Sequence, residues 1–224
     1  MSYFRDALLI AGKDLRIERR SKVALQQIVP FGGIVILIFA FALDSDQALL
    51  PVAAPGLFWT AVLLASLLAV GRSFGIEDAN RARDGLRLSG LDGGSIFLGK
   101  TAAIAVELFL LEIVVGLGVV VLYDVSVQGG LILLCTAVTA TIGLAATGTV
   151  YGVLAGGLRA RDTLVPLLVL PAVMPVMLGA TRAFQAALDG VNSDGWPWVQ
   201  LLTAFAILVV AAGTVAFGPL LEEG

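Results

Sequence analysis

Six stretches of the chain run almost without charge: residues 23–43, 51–70, 101–122, 131–157, 163–180 and 198–219. Each is about 18 to 27 residues long, enough to cross a hydrocarbon core of about 30 Å as a helix. Lipid offers nothing to bond a free N–H or C=O, so continuous apolar runs of this length predict helices and not barrel strands. The expected fold is all-α and integral to the membrane, with six transmembrane helices. Residues 1–22 differ. Phe4, Leu8, Ala11 and Leu15 recur at helical spacing with charges between them, which predicts an amphipathic helix in the membrane interface leading into the first span.

Composition strengthens this picture. The 224 residues are 58% hydrophobic and 14% charged, whereas soluble domains are about half apolar and about a quarter charged. Charge also orients the chain. Arg5, Lys13, Arg16, Arg19, Arg20 and Lys22 precede the first span; Arg72, Arg81, Arg83, Arg87 and Lys100 lie between the second and third; Arg159 and Arg161 lie between the fourth and fifth. By the positive-inside rule these connections, and with them both termini, are expected in the cytoplasm. Arg182 alone falls on the other side, with Asp44, Asp46, Asp124, Asp189 and Asp194. The basic N-terminal stretch has no small-residue cleavage site and is not expected to be a cleaved signal. The basic residues spread along a membrane face and do not form a nucleic-acid patch.

Several chemistries are weakened at the outset. The chain has no histidine and one cysteine, Cys135 in an apolar block. An internal disulfide is impossible, and the commonest metal ligand and physiological acid–base group is missing. Gly94-Ser95-Ile96-Phe97-Leu98-Gly99-Lys100-Thr101 satisfies the P-loop pattern. The following helix is a span, however, and the one candidate Walker-type acid, Asp124, falls roughly 36 Å along it from Lys100. A turn with a juxtamembrane lysine is the expectation there. Tyr123-Asp124 matches half of an intramembrane aspartyl protease signature, without a second aspartate motif.

Glu107 and Glu112 lie within the third block. A carboxyl group in lipid costs about 2–3 kcal/mol on insertion scales and faces protein or a cavity. Five residues separate the two, so they point about 140° apart and make no acid pair. Each either lines a pathway or subunit contact or is bonded to a neighbouring helix. Gly148, Gly152 and Gly156 permit close helix approach, within the chain or between chains. Pro166, Pro171 and Pro175 place kinks in the fifth block, either as moving parts or as inert bends. Trp196 and Trp198 read as interfacial anchors. Residues 71–100 form the longest connection on the cytoplasmic side, with room for one or two short helices. Residues 181–197 are the only long connection on the outer side, with a helical stretch expected at Ala183–Leu188 and a turn-rich stretch at Asp189–Gly195.

Local motifs then add a family. Ala54-Pro55-Gly56-Leu57-Phe58-Trp59 opens the second block; Phe74-Gly75-Ile76-Glu77 and Asp84-Gly85-Leu86-Arg87-Leu88-Ser89 follow it; Ile96-Phe97-Leu98-Gly99-Lys100 precedes the third. The fifth carries Leu164-Val165-Pro166-Leu167-Leu168-Val169-Leu170-Pro171-Ala172-Val173-Met174-Pro175-Val176. In order and spacing, over nearly the whole chain, these resemble the cytochrome c-type biogenesis heme exporter protein B family (CcmB), among the ABC-2-type permeases. The family usually has proline after the Leu-Ser piece, where this chain has Gly90.

The resemblance implies a non-catalytic permease subunit in the bacterial cytoplasmic (inner) membrane. Residues 23–224 would form the six-helix permease domain. Two copies per complex would recruit a separate ABC ATP-binding subunit, which holds ATP and Mg. The coupling element would fall on residues 74–89, with Phe74, Glu77, Arg81, Arg83, Asp84, Gly85 and Leu86 as contacts. Other implied partners are a heme-handling membrane subunit, a small membrane subunit and a heme chaperone, for cytochrome c maturation. This chain itself offers few axial heme ligands: no histidine, Cys135 within a span, and only Met174 and Met177 beyond Met1. No cofactor is therefore expected on it, and heme is expected to be handled by the complex. A permease for a lipid or drug would share the fold, and a membrane enzyme built on Glu107, Glu112 or the P-loop-like segment is the alternative from another class.

Overall fold

The structure is a computed structural model that describes residues 2–22, 24–43, 49–79, 90–154 and 161–223. These residues form helices and short turns, with no strand among them. In chain order the helices are α1 (Ser2–Ser21), a π-helical turn (Ala24–Ile28), α2 (Val29–Ala42), α3 (Leu49–Ala79), α4 (Gly93–Leu122), α5 (Gly130–Leu154), α6 (Arg161–Asp189) and α7 (Asn192–Glu223). From α3 to α7 each contains a segment long and apolar enough to cross a membrane; the sixth expected span is the shorter apolar helix Gln26–Ala42. The chain is thus an all-α integral membrane protein.

Small residues decide how these helices pack. Apolar side chains gain little by leaving lipid for one another, so close van der Waals approach carries association. At the face bearing both termini, a Cβ on Gly93 would fall on the Gly218 backbone, bringing the start of α4 against the end of α7. Gly148 and Gly152 receive Val70 and Phe74 of α3. The small-residue stripe of α5 therefore serves packing inside the chain; Gly156 lies outside the described residues. Many threonines within the spans bond to their own helix: Thr139, Thr147, Thr149, Thr203 and Thr214 each donate to a carbonyl four residues back.

Helix α1 runs alongside the first turns of α4. Tyr3 meets Gly94, Ala7 and Ile10 meet Gly99, and Asp14 meets Lys100, so contacts climb both helices together. Its buried face is Ala7, Ile10 and Ala11; Phe4 (73% exposed) and Leu8 (73%) remain uncovered, so the expected stripe is split between two faces. Helix α4 has 30 residues. At about 1.5 Å each they span about 45 Å, beyond a core of about 30 Å, so the turns beside α1 sit near the membrane boundary.

Three expectations change. The P-loop-like stretch is no turn: Asp92 caps α4, its carboxyl accepting from Ser95 N–H at 3.1 Å, and Gly94 to Thr101 are helical. The long connection at residues 181–197 is helical on both sides, because α6 continues to Asp189 and α7 starts at Asn192. Only Gly190, at φ 73°, and Val191 join them. Ala183 and Ala187 make this extension worthwhile by packing on Ile132 and Val199. Residues 71–79 and 93–100 likewise belong to α3 and α4 and not to separate short helices. Pro166, Pro171 and Pro175 all lie inside the single helix α6.

The α3–α5 contact yields a test. A Cβ on Gly152 would lie 2.4 Å from the Phe74 ring, whereas one on Gly118 meets nothing within 4 Å. Gly152→Ala is expected to cost about 1–3 kcal/mol by overpacking. Thermal unfolding in detergent should show a lowered midpoint for Gly152→Ala, none for Gly118→Ala, and partial recovery in Gly152→Ala/Phe74→Leu.

Candidate functional site

Two polar sites interrupt the apolar interior. The first lies near the terminal face, where α1, α3 and α4 meet. Lys100 is 1% exposed; its Nζ lies 3.5 Å from the Asp14 carboxyl and 4.7 Å from the centroid of the Phe74 ring. Arg72 reaches Glu18 at 3.5 Å, and Lys13 pairs with Asp14 at 3.0 Å. Glu107 lies within electrostatic reach of Glu18, Arg72 and Asp14. Helical spacing explains the gathering: Asp14 and Glu18 are one turn apart on α1, and Arg72 and Phe74 occupy the last turns of α3. Lys100 is held by an acid and a ring, which leaves the P-loop-like motif without its phosphate-binding geometry.

The second site lies in the other half of the bundle. Thr141 Oγ1 donates to Glu112 Oε1, joining α5 to α4. Glu112 Oε2 and Trp59 Nε1 are buried without a hydrogen-bond partner among the described residues. Each such atom costs about 1–3 kcal/mol. Both residues line a cavity of about 520 Å³ between α3, α4, α5 and α6, with Phe58, Phe109, Gly116 and Phe184 among its other walls. Phe58 stacks edge-on to Trp59 at 5.2 Å and tilts against Phe184 at 5.0 Å.

Glu107 and Glu112 thus belong to separate sites, as their angular separation predicts. Phe74 is buried between Gly152 and Lys100, so it bears on the segment after α3 through packing. Glu77 lies on the last turn of α3, its side chain outside the described residues; Arg81, Arg83, Asp84, Gly85 and Leu86 also lie outside them. Sequence reasoning missed Asp14, Glu18, Trp59 and Thr141. The one available signal was Asp14 and Glu18 at i, i+4. Tyr123, just past α4, is buried and donates to the Ile36 carbonyl at 3.0 Å. Asp124 sits exposed at φ 49° in the following turn.

Fold and sites define a multi-pass helical membrane protein whose polar groups tie helices together and line an internal cavity. The chain belongs to the CcmB family: the family model described as CcmB protein matches residues 5–223. It is 29% identical over 210 residues to the heme exporter protein B of Pseudomonas aeruginosa, covering 92% of this chain and 94% of that one. It is 29% identical to the protein of that name from Bradyrhizobium diazoefficiens, covering 95% of each. With that of Escherichia coli K12 the identity is 30%, over 92% of this chain and 90% of the relative.

Removing one partner from a buried ion pair costs about 3–5 kcal/mol. Lys100→Ala is therefore expected to lower the thermal midpoint in detergent by many degrees. Lys100→Gln/Asp14→Asn, which removes both charges and keeps the shape, should recover part of the loss.

Proposed function

We propose that this chain is the membrane permease subunit of an ABC-type complex serving heme export for cytochrome c maturation, with ATP hydrolysed by a separate chain. Full-length similarity to heme exporter B proteins carries the reading. In this proposal the chain lies in the bacterial cytoplasmic membrane with both termini in the cytoplasm, in two copies. Residues 74–89 meet the ATP-binding subunit. A heme-handling membrane subunit, a small membrane subunit and a heme chaperone complete the assembly.

The charged cluster supports a mechanical role. Arg72 and Phe74 stand on the last turns of α3, where the chain enters the proposed coupling segment. Arg72 reaches α1 through Glu18, and Phe74 reaches α4 through Lys100. A push on that segment by the ATP-binding pair is passed to α1 and α4 together, because these two contacts join the last turns of α3 to both helices. The far ends of α3 and α4 line the cavity together with α5 and α6, on the side where outer partners would feel the movement.

Two measurements test the reading. Expressed with its genomic neighbours and pulled down in mild detergent, the chain should bring down an ATPase. Arg83→Glu and Glu77→Lys should lose that ATPase while membrane insertion stays intact. Undiminished copurification in both variants would overturn the coupling assignment. The chain purified alone and titrated with heme should give no stoichiometric, saturable Soret shift; such a shift would place iron ligation on this subunit.

A further inference from the structure

The cavity between α3, α4, α5 and α6 lies away from the charged cluster of α1, α3 and α4, and its chemistry points to a ligand of its own. Its volume of about 520 Å³ falls within the range of small-molecule sites, about 300–1,000 Å³. Its walls are aromatic and aliphatic except at Glu112 and Trp59. Glu112 is 6% exposed and Trp59 1%, and each carries a buried polar atom that no described residue satisfies. Glu112 is also held in place, since its other oxygen is occupied by Thr141. Several wall residues, among them Ile113, Leu117 and Leu134, are exposed within the spans of α4 and α5, so the cavity borders the lipid-facing surface.

We infer that this cavity binds a neutral amphiphile drawn from the bilayer, an apolar chain ending in a hydroxyl group. A hydroxyl matches the two unsatisfied atoms in kind, because it can donate to a carboxyl oxygen such as Glu112 Oε2 and accept from an indole N–H such as Trp59 Nε1–H. The apolar chain matches the remaining walls. Heme fits less well: among the described residues no histidine, cysteine, methionine or tyrosine lines the cavity to ligate iron, and no lysine or arginine lines it to meet the propionates. A divalent cation would find a single carboxyl group.

Tryptophan fluorescence reports occupancy directly. Trp196→Phe/Trp198→Phe leaves Trp59 as the sole tryptophan of three. This protein, in nanodiscs of saturated phospholipid, is titrated with a monoacylglycerol carrying a dibrominated chain and, separately, with the dibrominated methyl ester, which lacks hydroxyls. Saturable quenching by the monoacylglycerol is expected, at a half-saturation at least tenfold below that of the ester. Gly116→Leu is the blocking variant. A Cβ there lies 3.7 Å from Phe58, an ordinary contact, and the rest of the side chain enters the cavity. It should raise half-saturation tenfold or more while the elution profile in detergent stays unchanged. Glu112→Leu should remove the preference for the hydroxyl probe. Linear quenching, equal quenching by both probes, or a Gly116→Leu protein that titrates like its parent would overturn the inference. So would heme displacing the monoacylglycerol with one-to-one saturation, which would make heme the occupant. None of these readouts depends on an ATP-binding partner, so this inference and the permease reading fail separately.

Discussion

Hydrocarbon cannot hydrogen-bond, so a polar group the chain carries into the membrane is costly unless something other than lipid tails answers it. That constraint organises the structure. The spans are long helices because their backbones bond to themselves. Five of their threonines, Thr139, Thr147, Thr149, Thr203 and Thr214, fold back onto carbonyls of the same helix. Charged side chains that cannot fold back are gathered where helices meet, and Lys100, Asp14, Arg72 and Glu18 bind three helices together as a result. The shared bond of Thr141 and Glu112 ties α4 to α5 in the same way.

Helix α4 is where these demands converge, since α1, α2, α3, α5 and α7 all pack on it. Its two acids face different neighbours and do different work. Glu107 belongs with the charges near the terminal face, whereas Glu112 borders the apolar cavity in the other half. Small residues at Gly93, Gly99, Gly148 and Gly152 let backbones close on one another. The polar clasps then fix which helix lies where. Dispersion supplies much of the cohesion and the clasps supply register.

Much of the fold was legible in the sequence because hydropathy and length are properties of single segments. The six apolar blocks appear where expected, and the divergence of Glu107 and Glu112 follows from helical geometry alone. Helix ends were less legible: polar residues such as Arg182 and Gln185 break a hydropathy run without breaking a helix, so α6 outlasts its apolar block. The sites were least legible, because their members come from distant parts of the chain. Lys100 finds Asp14 only once α1 is laid along α4, and Trp59 joins Glu112 only once α3 is set beside it. The family motifs mark positions in the chain, and several of them, Phe58, Trp59, Phe97 and Phe74 included, turn out to be buried packing residues.

The joint between α6 and α7 has a mechanical meaning. Two residues, one of them a glycine fixed in a left-handed conformation, leave no slack between helices of 29 and 32 residues. The Gly129 amide further pins the carbonyl of Ala187 at 2.7 Å, staking the start of α5 to the same tip. A displacement entering α6 at the terminal face is therefore not absorbed by a compliant loop at the other end. It arrives as a tilt of the whole tip, carrying Trp196 and Trp198 with it like the short arm of a lever.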